Sequence, residues 1–235
     1  GPAGEALLPP RTERQSGQAP RRTLIRALPD FEIERRHLEA GRTLIAGVDE
    51  AGRGALCGPV VAAAVILPFS WFAGLPPDWV ERLDDSKRLS PTRRERLARR
   101  IRQEASVGLG LAGNAEIDVL NILRASQEAM RRAVAALPVP PDMVLVDGLA
   151  IRDFPRPQDA VVGGDRRSYS IAAASIVAKV SRDRIMIRAA RRFPGYGMER
   201  HKGYGTRAHF EALALRGPTP FHRMSFNLQY QPKLF

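Results

Sequence analysis

The 235-residue chain has a single cysteine, Cys57, so it can form no internal disulfide, and its thiol content gives no sign of an oxidising compartment. Long apolar runs are also lacking. The strongest, Pro59 to Leu67, is well short of the roughly 20 residues that a spanning helix needs. Residues 1–20 carry Arg, Glu and Pro and lack the apolar stretch of a secretory signal. These absences lead to the expectation of a cytoplasmic protein. Acids are in the minority, with 25 Asp plus Glu against 37 Lys plus Arg, a net charge of +12 and a pI near 11.0. Such an excess favours a polyanionic partner. The 44% of hydrophobic residues suffices for the core of one compact domain with tails.

The basic residues are not evenly spread. Between Lys87 and Arg102 eight of them face one acid, Glu95. This stretch reads equally well as a binding patch or as the solvated face of a helix buried through Leu97 and Ile101. A membrane-surface role fits less well, because the apolar face is small and has no aromatic anchor.

Residues 1–28 lack apolar periodicity and read as a flexible tail. A short helix is expected from Asp30 to Ala40. Strands are expected at Thr43 to Val48, Val60 to Leu67 and Val107 to Leu111, with Asp49 to Gly58 as a glycine-rich connection. Phe69 to Asp85 reads as a loop, after which Ser90 as N-cap and Pro91 open the basic helix. Ala115 to Leu137 is the longest helical pattern. Met143 to Val146 and Ala160 to Val162 read as strands, and Ser170 to Phe193 and Thr206 to Leu215 as helices. The pattern predicts an α/β fold in which a mixed sheet, antiparallel in its first three strands and then parallel, is flanked by helices, with a C-terminal helical region.

Three of these segments end in acid: Asp49 with Glu50, Asp147, and Asp165, each near a glycine that permits close backbone approach. Carboxylates converging from neighbouring strand ends repel one another unless a cation intervenes. Hard oxygen donors without a His or Cys cluster suit magnesium or manganese. Two such ions about 4 Å apart can activate water and stabilise the leaving oxygen of a phosphoryl displacement. Any one of these acids could instead cap a helix or meet an arginine. Jointly they favour a metal-dependent nuclease, and Asp49-Glu50-Ala51-Gly52-Arg53-Gly54 has more glycine than a structural turn requires.

The chain also resembles a known family, the type 2 ribonucleases H, and within it bacterial ribonuclease HII. The resemblance rests on Gly47-Val48-Asp49-Glu50-Ala51-Gly52-Arg53-Gly54, Asp84-Asp85-Ser86-Lys87-Arg88, Val146-Asp147-Gly148 and Gly164-Asp165. It continues through Ala173-Ala174-Ser175-Ile176-Val177-Ala178-Lys179, His201-Lys202-Gly203-Tyr204-Gly205-Thr206 and His222-Arg223, collinear from about Pro29 to Phe226. It implies an RNase H-like fold, with a catalytic domain at 29–226 that includes a helical substrate-binding region. A carboxyl-terminal tail would follow at 227–235.

The implied activity is cleavage of RNA paired with DNA and of single ribonucleotides in duplex DNA, by a monomer using Mn2+ or Mg2+. Asp49, Glu50, Asp147 and Asp165 map onto the family's metal carboxylates, and Gly52, Arg53 and Gly54 onto the segment that reads the ribose 2′-OH. Tyr204 maps onto the tyrosine packing on the next sugar, and Lys87, Ser175 and Lys179 onto backbone contacts. Asp183 reads as structural, and Lys179 could equally be an exposed helix lysine.

Gly163 and Gly205 depart from the family's usual lysine and proline, and Ser126 and Glu128 from its common helix residues. The glycine after Tyr204 leads to the expectation of a less rigid loop. The last five residues look like a sliding-clamp pentapeptide through Gln231, Leu234 and Phe235, or alternatively a terminal segment packing on the core. Competing readings are a ribonuclease HIII-like enzyme, disfavoured by the short leading segment and by Arg53 between two glycines, and a noncatalytic basic nucleic-acid binding module.

Overall fold

The computed structural model describes residues 28–74 and 76–229. The expected amino-terminal tail, except Leu28, and the pentapeptide at 231–235 lie outside these residues.

Five strands form one sheet: β1 (Ile45–Ala51), β2 (Val60–Ile66), β3 (Ser106–Ala112), β4 (Met143–Asp147) and β5 (Gln158–Val161), in the order β3-β2-β1-β4-β5. The pairs β1/β2 and β2/β3 are antiparallel, whereas β4 runs parallel to β1 and β5 to β4. This is the expected mixed sheet. Every residue of β2 is buried, which explains a continuous Val and Ala run without polar alternation.

The helices are α1 (Glu32–Glu39), α2 (Phe69–Ala73), α3 (Pro91–Glu104), α4 (Asn114–Leu120), α5 (Ile122–Ala135), α6 (Tyr169–Arg192), α7 (Met198–His201) and α8 (Arg207–Arg216). Alternate strand residues feed two cores. Ile45, Ala63, Val65 and Leu145 pack with α6 and α3 on one face. Ala46, Val48, Ala62, Ala64 and Val146 pack with α5 on the other. Burial of each such valine stabilises by about 1.5–3 kcal/mol. A smaller core of Leu56, Cys57, Met186, Tyr196, Met198 and Leu213 joins the far half of α6 to the C-terminal helices.

Two contacts fix α6 against the sheet. A Cβ on Gly47 would lie 2.1 Å from the Ser170 carbonyl carbon, so only glycine lets β1 approach the start of α6. The buried Glu34 accepts from Ser168 Oγ at 2.7 Å and from Ser170 N at 3.0 Å, tying α1 to the same point.

Three sequence expectations need correction. Asp49 and Glu50 belong to β1 itself, because pairing with β2 continues to Ala51 opposite Val61. The segment 69–85 is not plain loop: Trp71 and Phe72 bury in α2, and Val80 buries in a 3-10 turn, with Trp71 and Trp79 edge to face. The long helix is two helices. Asn121 takes φ +69° and its side chain accepts from Leu123 N and Arg124 N, ending α4 and capping α5. The Ser90 cap of α3 is present, its side chain accepting from Arg93 N at 3.4 Å.

Candidate active site

The parallel register of β1 and β4 pairs Val48 with Val146, which brings Asp147 beside Asp49 at the same end of the sheet. Asp165 arrives in a 3-10 turn just after β5, and the neighbouring Gly164 N donates to Asp147 Oδ1 at 2.7 Å. The four predicted carboxylates thus line one cleft of about 530 Å3. The predicted contacts Gly52, Arg53, Gly54, Lys87, Ser175, Lys179 and Tyr204 line it too, with Ala51 and Ser86.

The cluster is electrostatically unbalanced. Asp49 is 6% exposed, and burial followed by the charges of Glu50 and Asp147 pushes its pKa well above the ordinary carboxylate range. Burial also raises Glu50, with Asp147 adding to the effect and Arg53, 3.3 Å away, opposing it. Asp165 is pushed up to about 6 by burial, Asp85 and Asp147, while Arg166 and Lys87 pull the other way. Lys87 and Arg166 therefore provide positive charge near Asp165, where Gly163 replaces the lysine expected from the family resemblance. The sequence reading missed Asp85 as a neighbour of this site, although the adjacent Asp84-Asp85 pair offered a signal.

Ser175 and Lys179 lie one helical turn apart on α6. Ser175 Oγ lies 3.0 Å from Ser86 Oγ, and a hydrogen bond from Ser175 favours the ionised form of Asp49. Lys179 is not a loose surface lysine. Its side chain is 16% exposed, its ammonium is 2.7 Å from Asp183 Oδ1, and it stands 5.6 Å from the Tyr204 ring centroid. Asp183 also lies 4.0 Å from Arg94, as befits a structural acid.

Two arginines to which the sequence assigns no role shape the loop after the acids. Both are fully buried. Arg182 donates to the carbonyls of Pro59, Lys202 and Cys57 at 2.9, 2.8 and 3.1 Å. Arg223 donates to those of Gly58, Arg53 and Gly52 at 2.9, 2.8 and 2.8 Å. Gly52 has φ +98°, and a Cβ there would lie 1.9 Å from Arg182 Nε, so this position requires glycine twice over. The available signal was a buried stripe on α6 at Ser175, Ala178, Arg182 and Met186, where one member is charged.

A family model described as Ribonuclease HII matches residues 46–229. This chain belongs to the ribonuclease HII family. The Ribonuclease HII of Geobacter sulfurreducens is 49% identical over 197 residues, covering 83% of this chain and 88% of the relative. That of Maricaulis maris is 56% identical over 183 residues, covering 77% and 81%. A solved structure of the PCNA:RNase HII complex from Archaeoglobus fulgidus superposes with a TM-score of 0.64 at 27% identity, covering 81% of this chain and 98% of that one. A Bst-RNase HIII structure in complex with Mn2+ shares the fold, with a TM-score of 0.63 at 21% identity over 80% of this chain and 68% of that one.

Family membership makes the protein a type 2 ribonuclease H, a hydrolase that cleaves RNA within RNA/DNA hybrids. The fold has accommodated the departures from the family's pattern. Ser126 Oγ donates to Ile122 O within α5, and Glu128 pairs with Arg131 and Arg132. Gly205 does not leave the preceding Tyr204 backbone untethered, since Tyr204 N donates to His201 O at 3.0 Å and the Tyr204 carbonyl meets His209 Nδ1 at 3.0 Å.

Proposed function

We propose that this ribonuclease HII, besides cutting RNA in RNA/DNA hybrids, nicks 5′ to single ribonucleotides embedded in duplex DNA, leaving 3′-hydroxyl and 5′-phosphate ends. The carrying observation is the convergence of four carboxylates, the Gly52-Arg53-Gly54 loop and Tyr204 on one cleft.

The donor set fits a divalent cation. It offers only hard oxygens, and three of its members have raised pKa values that a nearby cation would reverse. Asp49, Glu50, Asp147 and Asp165 would hold Mn2+ or Mg2+. Two bound ions would supply an activated water and charge stabilisation at the leaving oxygen. The chain's own residues orient the substrate around that centre. The peptide groups of 52–54, held by Arg223, present backbone to the 2′-hydroxyl, the group that separates RNA from DNA. Lys87 and Lys179 stand where phosphates would run beside the carboxylates, and Ser175 links Ser86 to Asp49. Tyr204 would pack against the sugar following the ribonucleotide.

In this reading residues 29–226 form the catalytic domain, and the enzyme acts as a cytoplasmic monomer. No described helix is long and apolar enough to cross a membrane. Recruitment by a sliding clamp through Gln231, Leu234 and Phe235 also belongs to the reading. It draws on the Archaeoglobus complex with PCNA, and unchanged clamp affinity after removal of the last five residues would refute it.

Asp49→Asn tests the whole assignment. It should abolish cutting of a duplex carrying one ribonucleotide while sparing hybrid binding, and cutting at the parental rate would mean that the carboxylates are not the reacting centre.

A further inference from the structure

The proposed function gives no part to the side chains of His201, His209 and His222. The sequence showed no His or Cys cluster, but the fold creates one: Cys57, His209 and His222 are buried with possible ligand atoms within 4.8 Å of one another. Hydrogen bonding fixes where the protons are. His209 Nδ1 meets the Tyr204 carbonyl oxygen at 3.0 Å, and an oxygen there can only accept, so Nδ1 carries the hydrogen. A neutral imidazole has one N–H, so His209 Nε2 accepts, and its 3.1 Å contact makes His222 Nε2 the donor. His222 Nδ1 must then accept, and the backbone N–H of Thr219 donates to it at 2.9 Å. This tautomer also argues against a metal at the cluster. His222 would have to bind through Nε2 with its proton moved to Nδ1, where it would collide with the Thr219 N–H.

Surrounding groups hold the pair neutral. Burial pushes His209 down to about 4 and lowers His222, with His201 opposing their charging. His201 stacks on His209 with centroids 4.3 Å apart, while its Nε2 donates to Tyr196 O and its Nδ1 accepts from Gly203 N. The other ionisable groups around this core are Cys57, Tyr196, Tyr204, Arg182 and Arg223.

We propose that His222 and His209 are positioning residues for Tyr204, passing the placement of the C-terminal segment through two directed hydrogen bonds to the Tyr204 carbonyl. The inference rests on the reading of Tyr204 as a substrate contact. With its N–H held by His201 O and its carbonyl by both His209 Nδ1 and, at 2.8 Å, Thr206 N, the Tyr204 backbone is fixed on both sides, and the ring is left with only its own torsions. The next residue after His222 is Arg223, which holds the carbonyls of Gly52, Arg53 and Gly58. One dipeptide thus aligns the tyrosine and the loop facing it, and Leu56 N to Gly203 O at 2.8 Å joins the two directly.

The test compares kcat/KM on a duplex with one ribonucleotide and on a long RNA/DNA hybrid, together with imidazole 15N NMR of the intact protein at pH 7. The spectra should show His209 protonated at Nδ1 and His222 at Nε2; the reverse pattern at either would overturn the pair. His209→Leu should lower the single-ribonucleotide preference by up to about tenfold, as expected from one lost hydrogen bond, in the same direction as Tyr204→Ala. His209→Asn keeps an N–H near the Nδ1 position and should recover most of that preference. His222→Gln keeps a donor toward His209 and should do likewise. These two variants carry the test if the leucine variant does not fold, and loss of preference in both would overturn the proposal. A preference lost in Tyr204→Ala but kept in His209→Leu would sink the pair's role alone. Equal losses of Tyr204→Ala on both substrates would sink the tyrosine reading, and the proposal with it.

Discussion

The two sides of the cleft are built by opposite means. On the carboxylate side, Asp49, Glu50, Asp147 and Asp165 are carried on or just after strands, and their charges oppose one another. On the facing side, residues 52–59 and 203–204 have little regular structure, and side chains from outside these segments pin them: Arg182 and Arg223, distant in sequence from 52–59, and His209, backed by His222, at Tyr204. The first side is placed by the sheet and needs a ligand to relax it. The second already has its protons and carbonyls paired. In the proposed reading, chemistry falls to a cluster of mutually opposed charges and recognition to a satisfied network.

The strongest way to break this comparison is to remove a carboxylate. Asp147→Asn should cost about three orders of magnitude in single-turnover cleavage, in line with the several kcal/mol attributed to metal-assisted catalysis, while leaving the melting temperature of the chelator-treated protein equal or higher. A large fall in stability would show that the cluster is structural.

The facing side should respond in the reverse order. Arg223→Met removes three hydrogen bonds to loop carbonyls, of which Gly52 O keeps the Ala55 N–H at 3.3 Å, and should destabilise by about 3 kcal/mol, measured by urea denaturation, with cleavage falling less steeply than in Asp147→Asn. Gly52→Ala should cost about 1–3 kcal/mol through a forced positive φ and the clash with Arg182. Its cleavage loss should be greater on single ribonucleotides than on long hybrids. Equal losses on both would detach the loop from ribose reading.

Much of the carboxylate side could be read from the sequence because its signals are local. A buried strand ending in Asp, or an acid beside glycine, is visible in a few residues, and the order of antiparallel and parallel strands follows from the lengths between them. Even so, β1 runs three residues beyond the Val48 at which its pattern ends, because Asp49 and Glu50 have poor strand propensity and only pairing with β2 keeps them extended. The break at Asn121 was hidden because apolar spacing runs through it. The roles of Arg182 and Arg223 are hidden for a different reason: both act on backbone carbonyls roughly 120 to 170 residues away, and even the charged member of the α6 stripe says nothing of where its partners lie.

Acid provides the mildest contrast. His209 is depressed to about 4 from 6.5, so its contribution to stability is present above pH 6.5 and is lost as pH falls through about 4. Asp165 is raised to about 6 from 3.8, so in the metal-free protein its contribution is present below 3.8 and is lost as pH rises through about 6. Thermal melts of chelated protein should show Asp165→Asn gaining a few degrees at pH 7, with the gain shrinking toward pH 4. His209→Asn should flatten the acid limb between pH 6.5 and 4. A matching loss at acid pH in both variants would erase the distinction between the two sides.

The most direct measurement of the central claim is cleavage of a DNA duplex bearing one ribonucleotide, in Mg2+, in Mn2+ and in chelator, with the ends mapped. The account predicts a single nick 5′ to the ribonucleotide that needs one of the metals, leaves a 3′-hydroxyl and is absent from the all-DNA duplex. Cutting that persists in chelator, or that ignores the ribonucleotide, would contradict it.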